Sequence, residues 1–152
     1  MVVYRLSKKK YARLSGDGAA FAGGRWNAKG TAIIYTSDSC SLAMLEKYIH
    51  LPSGILPKDL VMICIDIPDN LIKKKIELKT LPADWKNDTG LLTTRNIGDD
   101  FIVSKSACVL QVPSAIVPGD HNYLINPDHS DFSKIKIIEI VDFPFDDRLF
   151  EK

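Results

Sequence analysis

Cysteine is scarce in this chain. Cys40, Cys64 and Cys108 are odd in number and far apart, with no CxxC pair. That spacing excludes a disulfide framework and a cysteine-based zinc site, and makes a reducing cytoplasm the expected compartment. Long apolar runs are missing too: none approaches the ~20 residues of a membrane span. No apolar targeting segment follows Met1, so a soluble intracellular protein is expected. Neither sign of charge prevails, since 20 basic and 19 acidic residues leave +1. This removes any bulk electrostatic reason to bind nucleic acid or an anionic membrane. The basic runs Lys8–Lys10 and Lys73–Lys75 read as solvated faces. Repeats, low-complexity tracts and Pro/Ser linkers are absent, so residues 1–152 are expected to form one domain.

What remains is an ordinary globular composition, 45% hydrophobic and 26% charged, enough for a real core at this length. Val2–Leu6 predicts a first strand, and Lys8–Asn27 an extended, Gly-rich loop. Thr31–Thr36 predicts a strand with Ile33 and Tyr35 on one face and Ala32, Ile34 and Thr36 on the other. Ser39–Ile49 is the clearest helix, with N-cap oxygens at Asp38 and Ser39 and Pro52 beyond its end. Leu60–Ile67 reads as a buried strand containing Cys64 and closed by Pro68. Ile76–Leu78 reads as a short strand and Leu92–Val109 as a helix despite Gly98. Leu110–Val112, Ala115–Val117 and Ile135–Val141 complete the strands. Several strand-to-strand connections lack a crossover helix, so the expected class is α+β with a mixed sheet.

Gly23-Gly24-Arg25-Trp26-Asn27 is the most informative stretch. Paired glycines permit close backbone approach, and an arginine beside them can present its fork of donors to phosphate or carboxylate. Ten residues on come the strand bearing Tyr35 and then the helix bearing Glu46. Leu42, Leu45 and Ile49 follow the spacing of an inward stripe, and Glu46 falls on that stripe. An inward glutamate loses hydration worth several kcal/mol unless paired or protonated. Arg25 is the natural partner, with Tyr35 as an aromatic wall. The residues alone allow two readings, a structural Arg–Glu bridge at the core edge or a functional pair.

A second constellation runs through Val112-Pro113-Ser114-Ala115 and Asn122-Tyr123-Leu124-Ile125-Asn126-Pro127. Ser114 has no GxSxG elbow and no histidine placed to activate it, which argues against a serine hydrolase. Turn chemistry accounts for Ser114 and Asn126 equally well. His121 and His129, with Asp120, Asp128 and Asp131, look like a polar loop rather than a metal site. His50 suits a helix C-terminus.

Together with Ile34-Tyr35-Thr36, Ser41-Leu42-Ala43-Met44-Leu45-Glu46 and Leu81-Pro82-Ala83-Asp84-Trp85, these motifs resemble the RES domain family, the toxins of bacterial RES–Xre toxin–antitoxin pairs. The resemblance extends from Tyr4-Arg5 to Asp147-Arg148-Leu149. Ser130 and Phe101 depart from the family's frequent proline and tryptophan. The resemblance implies a compact fold related to ADP-ribosyltransferases and cleavage of NAD at the nicotinamide–ribose bond, by hydrolysis or phosphorolysis. NAD is then a substrate, with no further cofactor and no metal. Carried over by motif, the functional residues are Arg25, Tyr35 and Glu46, with Arg5, Gly24, Ser114 and Asn126 around the substrate. Glu46 would stabilise charge at the ribose, Arg25 would meet pyrophosphate and keep Glu46 ionised, and Tyr35 would stack on nicotinamide. The resemblance also implies an Xre-type DNA-binding antitoxin as partner, and family members can be homodimers. Two other expectations stand beside it: transfer of ADP-ribose to a protein or nucleic acid, and a non-catalytic interaction module.

Overall fold

The computed structural model describes residues 1–53 and 55–151. Ten regular elements follow one another: β1 (Val2–Lys8), α1 (Asp17–Ala22), β2 (Ile34–Ser37), α2 (Cys40–Tyr48), β3 (Leu60–Asp66), β4 (Ile72–Lys75), α3 (Leu91–Ser104), β5 (Val109–Pro113), β6 (His121–Ile125) and β7 (Lys136–Asp142). The strands form one sheet in the order β4-β5-β6-β2-β1-β3-β7. Every pairing is antiparallel except β4 with β5, which is parallel. The sheet is therefore mixed and the class α+β, as expected.

Alternation along the strands sorts side chains into layers. Val3, Ile34, Val61, Ile63, Ile65, Val109, Tyr123 and Ile125 form one buried layer, with Ala12, Leu14 and Phe132 packed against it. On the opposite face, Ile33, Leu110, Val112 and Leu124 meet Trp26, Trp85, Phe101 and Ile102. Leu6, Leu60 and Met62 meet Ala43 of α2 and Phe145. Tyr35 packs with Ile33 while Ile34 enters the other layer, the alternation expected of β2.

The seam between β1 and β2 is narrow. Its register holds a single pair, Tyr4 with Ser37, whereas β1 and β3 pair over seven residues, from Val2–Asp66 to Lys8–Leu60. Helix α2 leaves β2 directly and packs over both β1 and β2, so it straddles this seam. Ser39 caps it by accepting the Leu42 N–H at 3.1 Å.

Several boundaries differ from the sequence-based reading. The stretch expected as a loop over Lys8–Asn27 contains α1. The helix expected to reach Val109 ends at Ser104, because Lys105 adopts left-handed backbone with φ 48°, and Val109 opens β5. The polar Ser104-Lys105-Ser106 marks that boundary, inside the span expected as helix. The expected strand at Ile76–Leu78 is absent: β4 precedes it, and Leu78–Thr80 forms a 3₁₀ turn. Ala115–Val117 is not a strand but a bend, and β6 lies in a stretch for which no strand was expected. Ile49 is 51% exposed; the inner face of α2 is instead Leu42 and Ala43. Cys64 is only partly buried, and Cys108 is the thiol sealed in the core.

Gly98 sets the seat of α3. A Cβ at that position would fall within the van der Waals shell of the Trp26 carbonyl oxygen. Gly98→Ala gains up to ~1 kcal/mol in helix propensity. The opposing clash is with backbone that cannot turn aside, and overpacking of that kind costs roughly 3 kcal/mol. The clash wins by roughly 2 kcal/mol, so thermal denaturation is expected to show a Tm lowered by roughly 4–8 °C.

Candidate active site

The Gly23–Asn27 segment has irregular backbone whose polar groups must find partners outside a helix or strand. Tyr35 supplies two of them. Its hydroxyl accepts the Trp26 N–H at 3.0 Å and donates to Asn27 Oδ1 at 2.7 Å. Asn27 is fully buried, and its Nδ2 lies within hydrogen-bonding distance of the carbonyls of Ala19, Ala28 and Thr31. Gly24 sits over this junction: a Cβ there would lie 2.7 Å from the Tyr35 hydroxyl oxygen and 2.9 Å from Asn27 Oδ1. The expectation that the glycine permits a close approach is met, and the group approached is the tyrosine. Burial raises the Tyr35 phenol far above its ordinary value, so the hydroxyl stays protonated and keeps donating.

Helix α3 braces the loop from the other side. Arg95 Nε donates to the Gly24 carbonyl at 2.9 Å, and Asp99 accepts the Ala28 N–H at 3.1 Å. Residues 95, 98 and 99 stand at i, i+3 and i+4, one face of a helix. Sequence reading missed Arg95 and Asp99, whose spacing becomes meaningful only once Gly98 is known to touch Trp26.

Arg25 leaves this braced loop and donates from Nη1 to the Trp85 carbonyl at 2.8 Å, with its guanidinium 6.0 Å from the Trp85 ring centroid. Trp85 in turn lies against Trp26, ring centroids 6.0 Å apart. The sequence predicted a direct Arg25–Glu46 pair. Among the described residues no ion pair joins them. Arg25 acts on Glu46 through space, as the weakest of the influences on its ionisation.

Glu46 is partly buried on α2, and its direct partner is Asn122 of β6, whose Nδ2 donates to Oε1 at 2.6 Å. Asn122 Oδ1 accepts the Ser37 hydroxyl at 2.8 Å. Ser37 and Asn122 are register partners across β2 and β6 and both are buried. Beyond them the ladder continues through Asp38: its N–H donates to the His121 carbonyl, and its Oδ2 accepts the His121 N–H at 3.0 Å. Desolvation raises the Glu46 carboxyl above the 4.5 of an ordinary glutamate, opposed first by the Asn122 bond, then by His50 and Arg25. Arg25 acts in the expected direction, toward the ionised form, but as the last of the influences, and the net shift is upward. Burial outweighs a cation that is not in contact.

The remaining candidates are dispersed. Arg5 on β1 donates to the Ser15 carbonyl at 3.1 Å, and its register partner Ile63 places it on the face opposite Tyr4 and Leu6. Ser114 is buried, and its Oγ accepts the N–H groups of Ile116 and Val117 at 3.1 and 3.0 Å, closing the turn after β5. Asn126 is fully buried; Nδ2 donates to the Ile102 carbonyl and Oδ1 accepts the Asp128 N–H. That amide ties α3 to the chain after β6. Among the described residues no cluster of three or more metal-ligating side chains occurs, and no helix is long and apolar enough to cross a membrane.

The arrangement thus brings Gly24, Arg25, Tyr35 and Glu46 to one side of the sheet, around a loop fixed by side chains rather than by secondary structure. Comparison with known proteins agrees with this architecture. The chain is 39% identical over 152 residues to Toxin Res of Photorhabdus laumondii, covering 98% of this chain and 97% of that protein. It is 38% identical over 142 residues to the Prs ADP-ribosylating toxin of a Sphingobium species, covering 91% and 88%. A chain in the crystal structure of the M. tuberculosis MbcT–MbcA toxin–antitoxin complex has the same fold, with a TM-score of 0.77 at 19% identity over 94% of this chain and 84% of that one. The RES domain model matches residues 2–146, and the chain belongs to the RES domain family.

Proposed function

We propose that this protein is the toxin of a toxin–antitoxin pair and cleaves the bond between nicotinamide and ribose in NAD. The observation that carries the reading is Glu46, a partly buried carboxylate held by a buried amide within reach of Arg25's field. Breaking the glycosidic bond sends its electron pair to the nicotinamide nitrogen and leaves positive charge on the ribose, an oxocarbenium-like transition state. A fixed carboxylate stabilises that charge without reorganising as it develops. Arg25 supplies donors for pyrophosphate oxygens, and the ring of Tyr35 a surface for nicotinamide. Water or phosphate then adds to the ribose carbon and gives up a proton. The names of the relatives support a toxin, and their whole-length similarity supports a shared activity. The partner is an antitoxin, of the Xre type by family resemblance.

Transfer of ADP-ribose to a macromolecule is the second reading, favoured by the name of the Sphingobium relative. It uses the same carboxylate and differs only in the acceptor.

Purified protein incubated with NAD and no other macromolecule is expected to release nicotinamide. Glu46→Ala should slow release about 10²–10³-fold, the usual loss for one preorganised electrostatic group. Release that requires an added protein or nucleic acid would instead establish transfer.

The same carboxylate sets a stability test. A raised native pKa means the folded state binds protons more readily than the unfolded chain, so stability is lost as pH rises through the native value. Glu46→Gln keeps an oxygen for Asn122 and removes the charge. Its Tm relative to wild type should be unchanged at pH values well below 4.5 and higher at pH 7, while nicotinamide release falls about 10²–10³-fold as in Glu46→Ala. A variant less stable at pH 7 would show that ionised Glu46 carries net structural weight.

A further inference from the structure

We infer that Asn122, secured by Ser37, is a positioning residue that holds the Glu46 carboxylate in one place and favours its charged form. The inference rests on the proposed role of Glu46 and adds two residues that neither the family motifs nor the relatives' names assign.

The argument begins with donors and acceptors. A primary amide can present either its oxygen or its NH₂ to a neighbour, and against a carboxylate only the NH₂ is attractive. The acceptor-only carboxylate takes Nδ2, which donates to Glu46 Oε1 at 2.6 Å. The Ser37 hydroxyl, able to donate or accept, secures that orientation by donating to Asn122 Oδ1 at 2.8 Å. Both residues are buried, Ser37 at 4% and Asn122 at 9% exposure, so water is not on hand to replace either bond. Rigid elements fix all three groups: Ser37 and Asn122 are paired across β2 and β6, and Glu46 is on the capped helix α2. No cation touches the carboxylate among the described residues, since Arg25 is turned to the Trp85 carbonyl. The charged and titratable groups that act on Glu46 are His50, just beyond the C-cap of its helix, and Arg25 on the loop, and its charge in turn acts on Tyr35 of β2. All are weaker than the amide. A charge-assisted bond of this length is the strongest local interaction available to Glu46.

The test uses the full chain with ¹³C-labelled glutamate and follows carboxyl shifts against pH. The sequence contains four glutamates, and Glu46→Gln identifies the signal. In Asn122→Ala the Glu46 midpoint is expected to rise, because the bond favouring the charged form is gone. Nicotinamide release should fall roughly 10²-fold, the scale of a displaced catalytic group. Ser37→Ala removes one hydroxyl and no cap, keeps the fold should Asn122→Ala unfold, and should move both readouts in the same direction by less. The double variant should lose no more than Asn122→Ala alone, since both act through one bond. Unmoved midpoints in folded Asn122→Ala or Ser37→Ala would overturn the proposal. So would additive losses of activity. A wild type that leaves NAD intact would overturn the proposed reaction, and the titration would still decide whether Asn122 holds the carboxylate.

Discussion

The phenol of Tyr35 is the point on which the site depends. It stands on a strand of the sheet and satisfies one donor and one acceptor of a loop that has no ladder of its own. A buried backbone donor or side-chain acceptor left unpaired costs about 1–3 kcal/mol, so one hydroxyl settles a conformation that several residues would otherwise contest. Gly24 is the other half of this device, because any side chain there would occupy the space of that hydrogen bond. Asn27 carries the constraint further into the loop, and Arg95 and Asp99 close it from α3. The cost is that the Tyr35 hydroxyl is committed. What the residue can offer a ligand is the face of its ring, which suits stacking and leaves proton transfer to other groups.

The electrostatics of Glu46 follow from which contacts exist. A carboxylate removed from water loses several kcal/mol of hydration, whereas one hydrogen bond to a charged group returns ~1.5–3 kcal/mol. The sum disfavours the charged form relative to a carboxyl in water, in agreement with the raised pKa of this group. A contacting guanidinium would have reversed that balance, and Arg25 is instead anchored to Trp85. The site therefore keeps an arginine that forms no ion pair with the glutamate among the described residues. Under the proposed function that is an advantage: a salt bridge between the two would have to break before pyrophosphate could bind.

Where sequence reasoning succeeded, the cause was local. The cap at Ser39, the alternation of Ile33, Ile34 and Tyr35, and the close approach at Gly24 are all fixed by neighbours in the chain or by sterics of one residue. It failed where partners are distant. The Arg25–Glu46 pairing was inferred from charge alone, yet the nearest complement to Glu46 is neutral and 76 positions away. Asn122 was legible as a motif residue and not as a partner, because its pairing with Ser37 of β2 is visible only in the sheet. Likewise, nothing in an Asn-Pro dipeptide reveals that the Asn126 amide bonds to Ile102 and Asp128. Burial of polar side chains is the signal that composition and periodicity do not carry.

Ser37 joins the two scales of the structure. It is the only register partner of β1 on β2, opposite Tyr4, and it is also the residue that secures Asn122. The two portions of the sheet thus meet at the position from which Glu46 is held. Helix α2, leaving β2 through Asp38 and Ser39, lies across the same junction. Because interiors are close-packed and pass displacement on rather than absorbing it, a shift between β1 and β2 would reach the carboxylate through only two hydrogen bonds. A broad, many-residue pairing at that seam would have fixed the sheet by itself. A single pair leaves the job to α2, so the helix that carries Glu46 is also the strap across the weakest line of the fold, and the geometry of the site and the integrity of the sheet depend on the same few residues.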